Sequence, residues 1–207
     1  MEGYLAVPNW ITFLATLHNL EEVAVKDSSW EEIFPYEELF GQQKHARILP
    51  QLKELQLFDL PLLKHLWKED PKPSSIFHNL ENLYVSLCGK LKKLVPPSVS
   101  FQNLTKLEIL RGHGLINLFT SSTAKSLVQL KKMRVSECKR ITEIVVGKGG
   151  EAGEVNTFAQ LTYLKLDCLP KLTSFCLGSQ FFQVPIFGRS NCEIMLFVID
   201  PRHYTTL

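Results

Sequence analysis

The chain has 207 residues, of which 45% are apolar and 21% charged, and its formal net charge is +2. That length fits one domain or one elongated repeat array with a continuous core, and so apolar a chain with so little net charge is not dominated by disorder. The balance of 23 basic against 21 acidic residues requires no polyanionic partner, and 11 Gly with 11 Pro exclude collagen-like and low-complexity classes.

The N-terminus reads MEGYLAVPNWITFLATLHNL, with Glu2 in front and no Lys or Arg before Lys26. A secretory signal needs a basic start and then an unbroken apolar stretch. Pro8, Asn9 and Trp10 interrupt this one, so no signal peptide is expected. No apolar run approaches the roughly 18 residues of a membrane helix. The longest, Ile194 to Ile199, has the size of a strand. These features favour a soluble intracellular chain.

Five segments then align without gaps. They are LPQLKELQLFDLPLLKHL from Leu49, FHNLENLYVSLCGKLKKL from Phe77, FQNLTKLEILRGHGLINL from Phe101, LVQLKKMRVSECKRITEI from Leu127 and FAQLTYLKLDCLPKLTSF from Phe158. Their shared frame is [FL]-x-x-L-x-x-[LM]-x-[LVI]-x-x-[LC]-x-x-[LI]-x-x-[LIF], broken once by Gly112. An earlier copy from Leu17 keeps only the first half, with Ser28 and Glu31 in place of apolar residues. The fourth-position leucines Leu20, Leu52, Leu80, Leu104, Leu130 and Leu161 are spaced 32, 28, 24, 26 and 31 residues apart. Leucine-rich repeats run about 20–29 residues, so two spacings need inserts. One insert lies in 34–48, and the other is marked by the glycines of 147–153.

In L-x-x-L-x-L the last two apolar residues alternate as one face of a short strand requires. The later apolar positions recur every three residues, which suits an irregular or 3₁₀ return better than a second regular strand. One unit cannot bury its own apolar face, so neighbouring units are expected to stack into a solenoid.

Within each strand the residues beside the buried positions must then point outward, onto the concave sheet that solenoids use for binding. The expected rows are Glu22, Ala24, Lys26; Glu54, Gln56, Phe58; Asn82, Tyr84, Ser86; Lys106, Glu108, Leu110; Lys132, Arg134, Ser136; and Tyr163, Lys165, Asp167. This face mixes five basic with four acidic side chains and adds Phe58, Tyr84, Leu110 and Tyr163. Such a mixture fits protein recognition better than a phosphate groove. Tyr84 and Tyr163 are the expected anchors. Of the basic cluster Lys131, Lys132, Arg134, Lys139 and Arg140, only Lys132 and Arg134 fall on this face, so the cluster reads as a solvated patch rather than a nucleic-acid site.

The residues give no argument for catalysis. Gly89-Lys90 is followed by Leu91 and Gly147-Lys148 by Gly149, so no phosphate-binding loop is formed. Gly147, Gly149 and Ala152 have dinucleotide-fingerprint spacing, but another repeat follows where that fingerprint needs a helix. The six histidines show no metal spacing, and no Gly-x-Ser-x-Gly elbow occurs. Cys88, Cys138, Cys168, Cys176 and Cys192 are odd in number and contain no Cys-x-x-Cys, which suggests neither a disulfide framework nor a zinc site. Cys88 and Cys138 share the phase of Leu60 and Leu169 and are expected to act as buried apolar filler. The sequon Asn103-Leu104-Thr105 contains a core leucine and reads as a chance match. No metal, catalytic residue or cofactor site is expected.

Two stretches, FHNLENLYVSLCGKLKKL and SLVQLKKMRVSECKRITEIVVGKGGEAGEVNTFAQLTYLKLDCLPKLTSF, carry a family resemblance. The cysteine in V-S-x-C, the C-x-x-[LI]-x-x-[LI] tail and the acidic, glycine-rich insert before TFAQLTYLKL resemble the leucine-rich repeats of plant intracellular nucleotide-binding disease resistance receptors, closest to the coiled-coil type. The resemblance covers about Leu49 to Phe175. It implies an α/β solenoid, right-handed, with a parallel concave sheet and a short irregular, 3₁₀ or helical convex side. It also implies defence against pathogens through a protein partner: a pathogen effector, a guarded host protein or the receptor's own nucleotide-binding domain. ATP or ADP would be bound only by a nucleotide-binding domain upstream, since none of its motifs is present. We expect repeats over 1–177, the first degenerate, and a divergent cap or irregular tail over 178–207, where the family would continue with another repeat around 182–192. The expected setting is the cytoplasm, with the nucleus also open to it. The competing readings are a substrate adaptor of a ubiquitin ligase and a non-functional receptor fragment.

Overall fold

Alternating apolar residues put one strand into every copy of the frame, and a shared register welds those strands into one sheet. The computed structural model describes residues 19–34, 49–66, 77–146, 158–177, 180–183 and 194–198. In chain order its elements are β1 (Glu22–Lys26), β2 (Glu54–Phe58), β3 (Asn82–Ser86), β4 (Lys106–Leu110), β5 (Asn117–Thr120), α1 (Ser121–Ser126), β6 (Lys132–Ser136), β7 (Glu143–Val146), β8 (Tyr163–Asp167), β9 (Ser174–Leu177), β10 (Gln180–Gln183) and β11 (Ile194–Val198). The main sheet has the order β1-β2-β3-β4-β6-β8-β11 and is parallel from β1 to β8. This is the leucine-rich-repeat solenoid that the frame predicts. The first half of the degenerate copy supplies β1, and residues 1–18, both inserts (35–48 and 147–157) and most of the tail lie outside the described residues.

The second and fourth residue of each repeat strand are buried, as in Leu55 and Leu57, Leu83 and Val85, Leu107 and Ile109, Met133 and Val135, and Leu164 and Leu166. A slip of one residue would turn all of them to solvent, which pins the register. The return segments close the core from the other side with Leu60, Leu63 and Leu66, then Cys88, Leu91 and Leu94, then Leu115 and Leu118, then Cys138, Ile141 and Ile144. Each fully buried leucine contributes roughly 1.5–3 kcal/mol. Phenylalanines add a second row: the rings of Phe34 and Phe77 meet edge-on at 6.0 Å, and those of Phe77 and Phe101 stack at 5.6 Å.

The departure from the frame at Gly112 is filled by its neighbours. A Cβ there would lie 2.9 Å from Leu115 Cδ1 and 3.2 Å from Ile109 Cγ2, so neighbouring side chains already fill the place that Cys88 and Cys138 occupy elsewhere. Those two thiols are buried and free, and burial pushes each up to about 11. Cys168 is disulfide-bonded, which neither the cysteine count nor the spacing suggested.

Polar side chains repeat in step with the core. Asn79 Nδ2 donates to the Pro50 carbonyl, and Asn103 Nδ2 to the His78 carbonyl, both at 2.7 Å. Each asparagine thus satisfies a loop carbonyl one repeat earlier, where no ladder bond is available. Immediately before the strands, one carbonyl accepts two successive N–H groups of the next repeat, as Thr105 O does from Lys131 and Lys132 at 2.9 and 3.0 Å.

The residue after each repeat strand has a positive φ: Asp27 (50°), Asp59 (49°), Leu87 (57°), Arg111 (55°), Glu137 (55°) and Cys168 (51°). None is glycine. This turns the chain out of the sheet and aims its N–H at the next repeat. The N–H of Leu87 donates to Leu110 O at 3.0 Å and that of Arg111 to Ser136 O at 3.0 Å.

The described returns after β2 and β3 contain no strand, as the three-residue spacing suggested, but those after β4, β6 and β8 are more regular. β5, β7 and β9 are parallel neighbours in a second sheet, completed by β10, which runs antiparallel to β9. The spacing misleads because it straddles a junction: Leu115 and Ile141 sit before the strands, and Leu118 and Ile144 within them. Helix α1 follows β5, with the Thr120 hydroxyl accepting from the Thr123 N–H at 3.3 Å. Its last residue, Ser126, accepts the Phe101 N–H at 2.8 Å, which ties the helix to the start of its own repeat. At the far edge, β11 runs antiparallel to β8, with Val198 opposite Tyr163 and Ile194 opposite Asp167. The position that another parallel repeat strand would occupy is therefore taken by a strand of opposite direction.

Candidate functional site

The open face of the main sheet is assembled entirely by strand alternation and in-step pairing. Across β1, β2, β3, β4, β6 and β8 the first row is Glu22, Glu54, Asn82, Lys106, Lys132 and Tyr163. The second is Ala24, Gln56, Tyr84, Glu108, Arg134 and Lys165, and the third is Lys26, Phe58, Ser86, Leu110, Ser136 and Asp167. Every residue expected on this face occupies the expected strand position. The β1 residues and Lys132 are exposed, and most others are half-buried because neighbouring strands crowd them. Ser136 departs from the expectation: it is buried, and its hydroxyl accepts from Arg134 Nε at 3.3 Å.

The side chains are already engaged with one another. Glu54 accepts from Gln56 Nε2 and, at 3.3 Å, from Asn82 Nδ2. Lys106 Nζ lies 2.9 Å from Glu108 and 4.9 Å from the centre of the Tyr84 ring. Hydrogen bonds to Glu108 and then to Tyr84 hold its ammonium above the usual lysine range. Lys26 sits 5.3 Å from the centre of the Phe58 ring, and Lys165 lies 3.7 Å from Asp167. Each such cation–ring contact at an exposed site contributes about 0.5–1 kcal/mol, and each exposed ion pair about 0–1 kcal/mol. Their structural consequence is preorganisation. The Lys106 contact biases the Tyr84 ring toward one position, which lowers the side-chain freedom lost on binding.

Tyr163 lies beside Lys132 in the first row, five strands from the edge strand β1, and does not touch Tyr84. The two expected anchors therefore belong to separate parts of one face. Lys131 ends the segment before β6, while Lys139 and Arg140 lie in the turn after it, so the cluster divides as the frame predicts. Spacing gave no sign of a further ion pair, Arg111 to Glu137 at 2.8 Å, which joins two post-strand residues beside the third row. Leu87, of the same post-strand series, exposes 41% of its surface. Among the described residues no group of three or more His, Cys, Asp or Glu converges as a metal site would require.

A family described as plant disease resistance protein RPS2-like, leucine-rich repeats, matches residues 9–100 and 98–139. The match starts further toward the N-terminus than the resemblance read from the motifs, and it takes in the degenerate first copy. No curated protein and no solved structure matches the chain.

Proposed function

The chain belongs to the RPS2-like leucine-rich repeats of plant disease resistance proteins, and from that premise we propose that it is the protein-recognition module of a plant intracellular immune receptor. Its partner is a pathogen effector, a guarded host protein or the receptor's own nucleotide-binding domain, engaged on the open face of the main sheet. The reading rests above all on the three in-register rows. They combine half-buried aromatic side chains with both signs of charge on a rigid sheet, the mixture that protein interfaces use. The role is recognition rather than catalysis. We place the module in the cytoplasm, with the nucleus also open to it; no helix among the described residues is long and apolar enough to cross a membrane.

Site-specific photo-crosslinking in plant cells tests this reading. A benzophenone side chain at Tyr84 or Tyr163 should capture a discrete protein, and one at Ile116, next to β5 of the opposite sheet, or at Val146 on β7 should not. Capture only from the opposite sheet would overturn it.

A further inference from the structure

Contacts within the open face neutralise some of its charges and leave others unmatched. Lys106 is held by Glu108, Lys165 lies beside Asp167, and Lys26 covers Phe58. On β6, by contrast, neither Lys132 nor Arg134 has a carboxylate within ion-pairing distance among the described residues. Lys132 is exposed. Arg134 uses one donor on Ser136, and a guanidinium has five. The two are alternate residues of one strand, so they project from the same face roughly 6.6–6.8 Å apart. Lys106 precedes Lys132 in the first row and Tyr163 follows it. At the other end of the sheet the first row begins with the carboxylates Glu22 and Glu54. The first row is thus acidic at its start, and the two unmatched cations that share one strand lie on β6, with the apolar surface of Tyr84 and Leu110 between; Lys26 at the β1 edge has only the Phe58 ring.

Resting on the open-face reading above, we propose that Lys132 and Arg134 form a docking subsite for an acidic, extended segment of the partner protein, whose carboxylates recur on alternate residues. Charge complementarity and spacing both point to this occupant. An extended peptide repeats its side chains on one face with the same period as β6, and an arginine fork matches a carboxylate in two parallel hydrogen bonds. A nucleic-acid strand fits less well, because Glu108 and Asp167 on the flanking strands interrupt any continuous track for phosphates. Along the first row, Glu22 and Glu54 disfavour an acidic segment, which favours its placement at the β6 end of that row.

The probe is a short fluorescein-labelled peptide of alternating Glu and Tyr, titrated onto the full chain by anisotropy at low and high salt. A Lys–Tyr counterpart and a short oligothymidylate serve as comparisons. The Glu–Tyr peptide should bind, weaken with salt, and lose at least about tenfold in affinity with K132E/R134E, a change of about 1.4 kcal/mol. That variant should gain affinity for the Lys–Tyr peptide, and K139E/R140E should leave the Glu–Tyr peptide unaffected. No binding by the parent chain, an equal loss with K139E/R140E, or tighter binding of the oligothymidylate would each overturn the proposal. If Y84A/Y163A weakens the Glu–Tyr peptide while K132E/R134E does not, the charge assignment fails and the open-face reading stands. If Y84A/Y163A leaves binding of the crosslinked protein, once purified, unchanged, the open-face reading itself fails.

Discussion

At Leu87 the backbone holds a leucine at a φ of 57°, where a side chain other than glycine, asparagine or aspartate costs roughly 1–2 kcal/mol. The strain persists because its N–H must reach Leu110 O in the next repeat. Leu87→Gly is therefore expected to stabilise the chain by up to about 1 kcal/mol in urea unfolding, part of the relief being lost to greater freedom in the unfolded chain. Leu87→Ile should destabilise it by a similar amount, since branching at Cβ worsens the clash. Gly114 is the opposite case. A Cβ there would fall 2.5 Å from Leu91 O and 2.8 Å from Gly89 O, so Gly114→Ala must push two repeats apart. We expect a loss above about 2 kcal/mol, within the range that core overpacking produces. The two free thiols add a pH dependence. Folding raises each from 9.0 to about 11, so between those values the unfolded chain ionises first and stability falls as pH rises. Replacing both Cys88 and Cys138 by Ala removes this decline. The destabilisation caused by the double variant, measured by urea unfolding, should therefore shrink from pH 8 to pH 11. At this scale the sequence was legible where a residue's chemistry matched its place, as for the buried cysteines. It was silent on the left-handed turns, because Leu, Arg, Glu and Cys carry no preference for that conformation and tertiary bonding imposes it.

Each repeat strand runs over the five residues that alternation assigns to it, because burial on one face leaves no other register. The return segments were less readable. A spacing of three apolar residues is the same whether it runs through a 3₁₀ turn or crosses from a turn into a strand. β5 and β7 follow the second course, with Leu118 and Phe119 both buried and Ile144 anchoring β7. The direction of β11 was also hidden, since its five apolar residues IMLFV suit a parallel or an antiparallel neighbour equally. The phenylalanine row gives this scale its sharpest test. Phe77 is fully buried and touches both Phe34 and Phe101. Phe77→Ala should cost about 3–5 kcal/mol in urea unfolding, the usual range for a buried ring. It should also lower hydrogen-exchange protection in β2, β3 and β4 more than in β8, since a solenoid repeat contacts only its neighbours.

For the molecule as a whole, the account predicts a far-ultraviolet spectrum of strand with irregular structure, because α1 supplies only six helical residues among those described. A mostly helical spectrum contradicts the fold. The three rows of the open face could be written down from the sequence because each needs only the period of a strand and the length of a repeat. Which charges neutralise one another could not, because Lys106 with Glu108 and Lys165 with Asp167 depend on rotamers that no spacing encodes. The central claim is that this face, rather than the sheet of β5, β7, β9 and β10, carries recognition. Its most direct test is the affinity of the crosslinked partner, once purified, for the parent chain, for Y84A/Y163A and for I116A/V146A, with folding checked by circular dichroism. The account predicts a loss of about tenfold or more for the tyrosine pair and no change for the other. Unchanged binding by a folded Y84A/Y163A chain, or a loss confined to I116A/V146A, would contradict it.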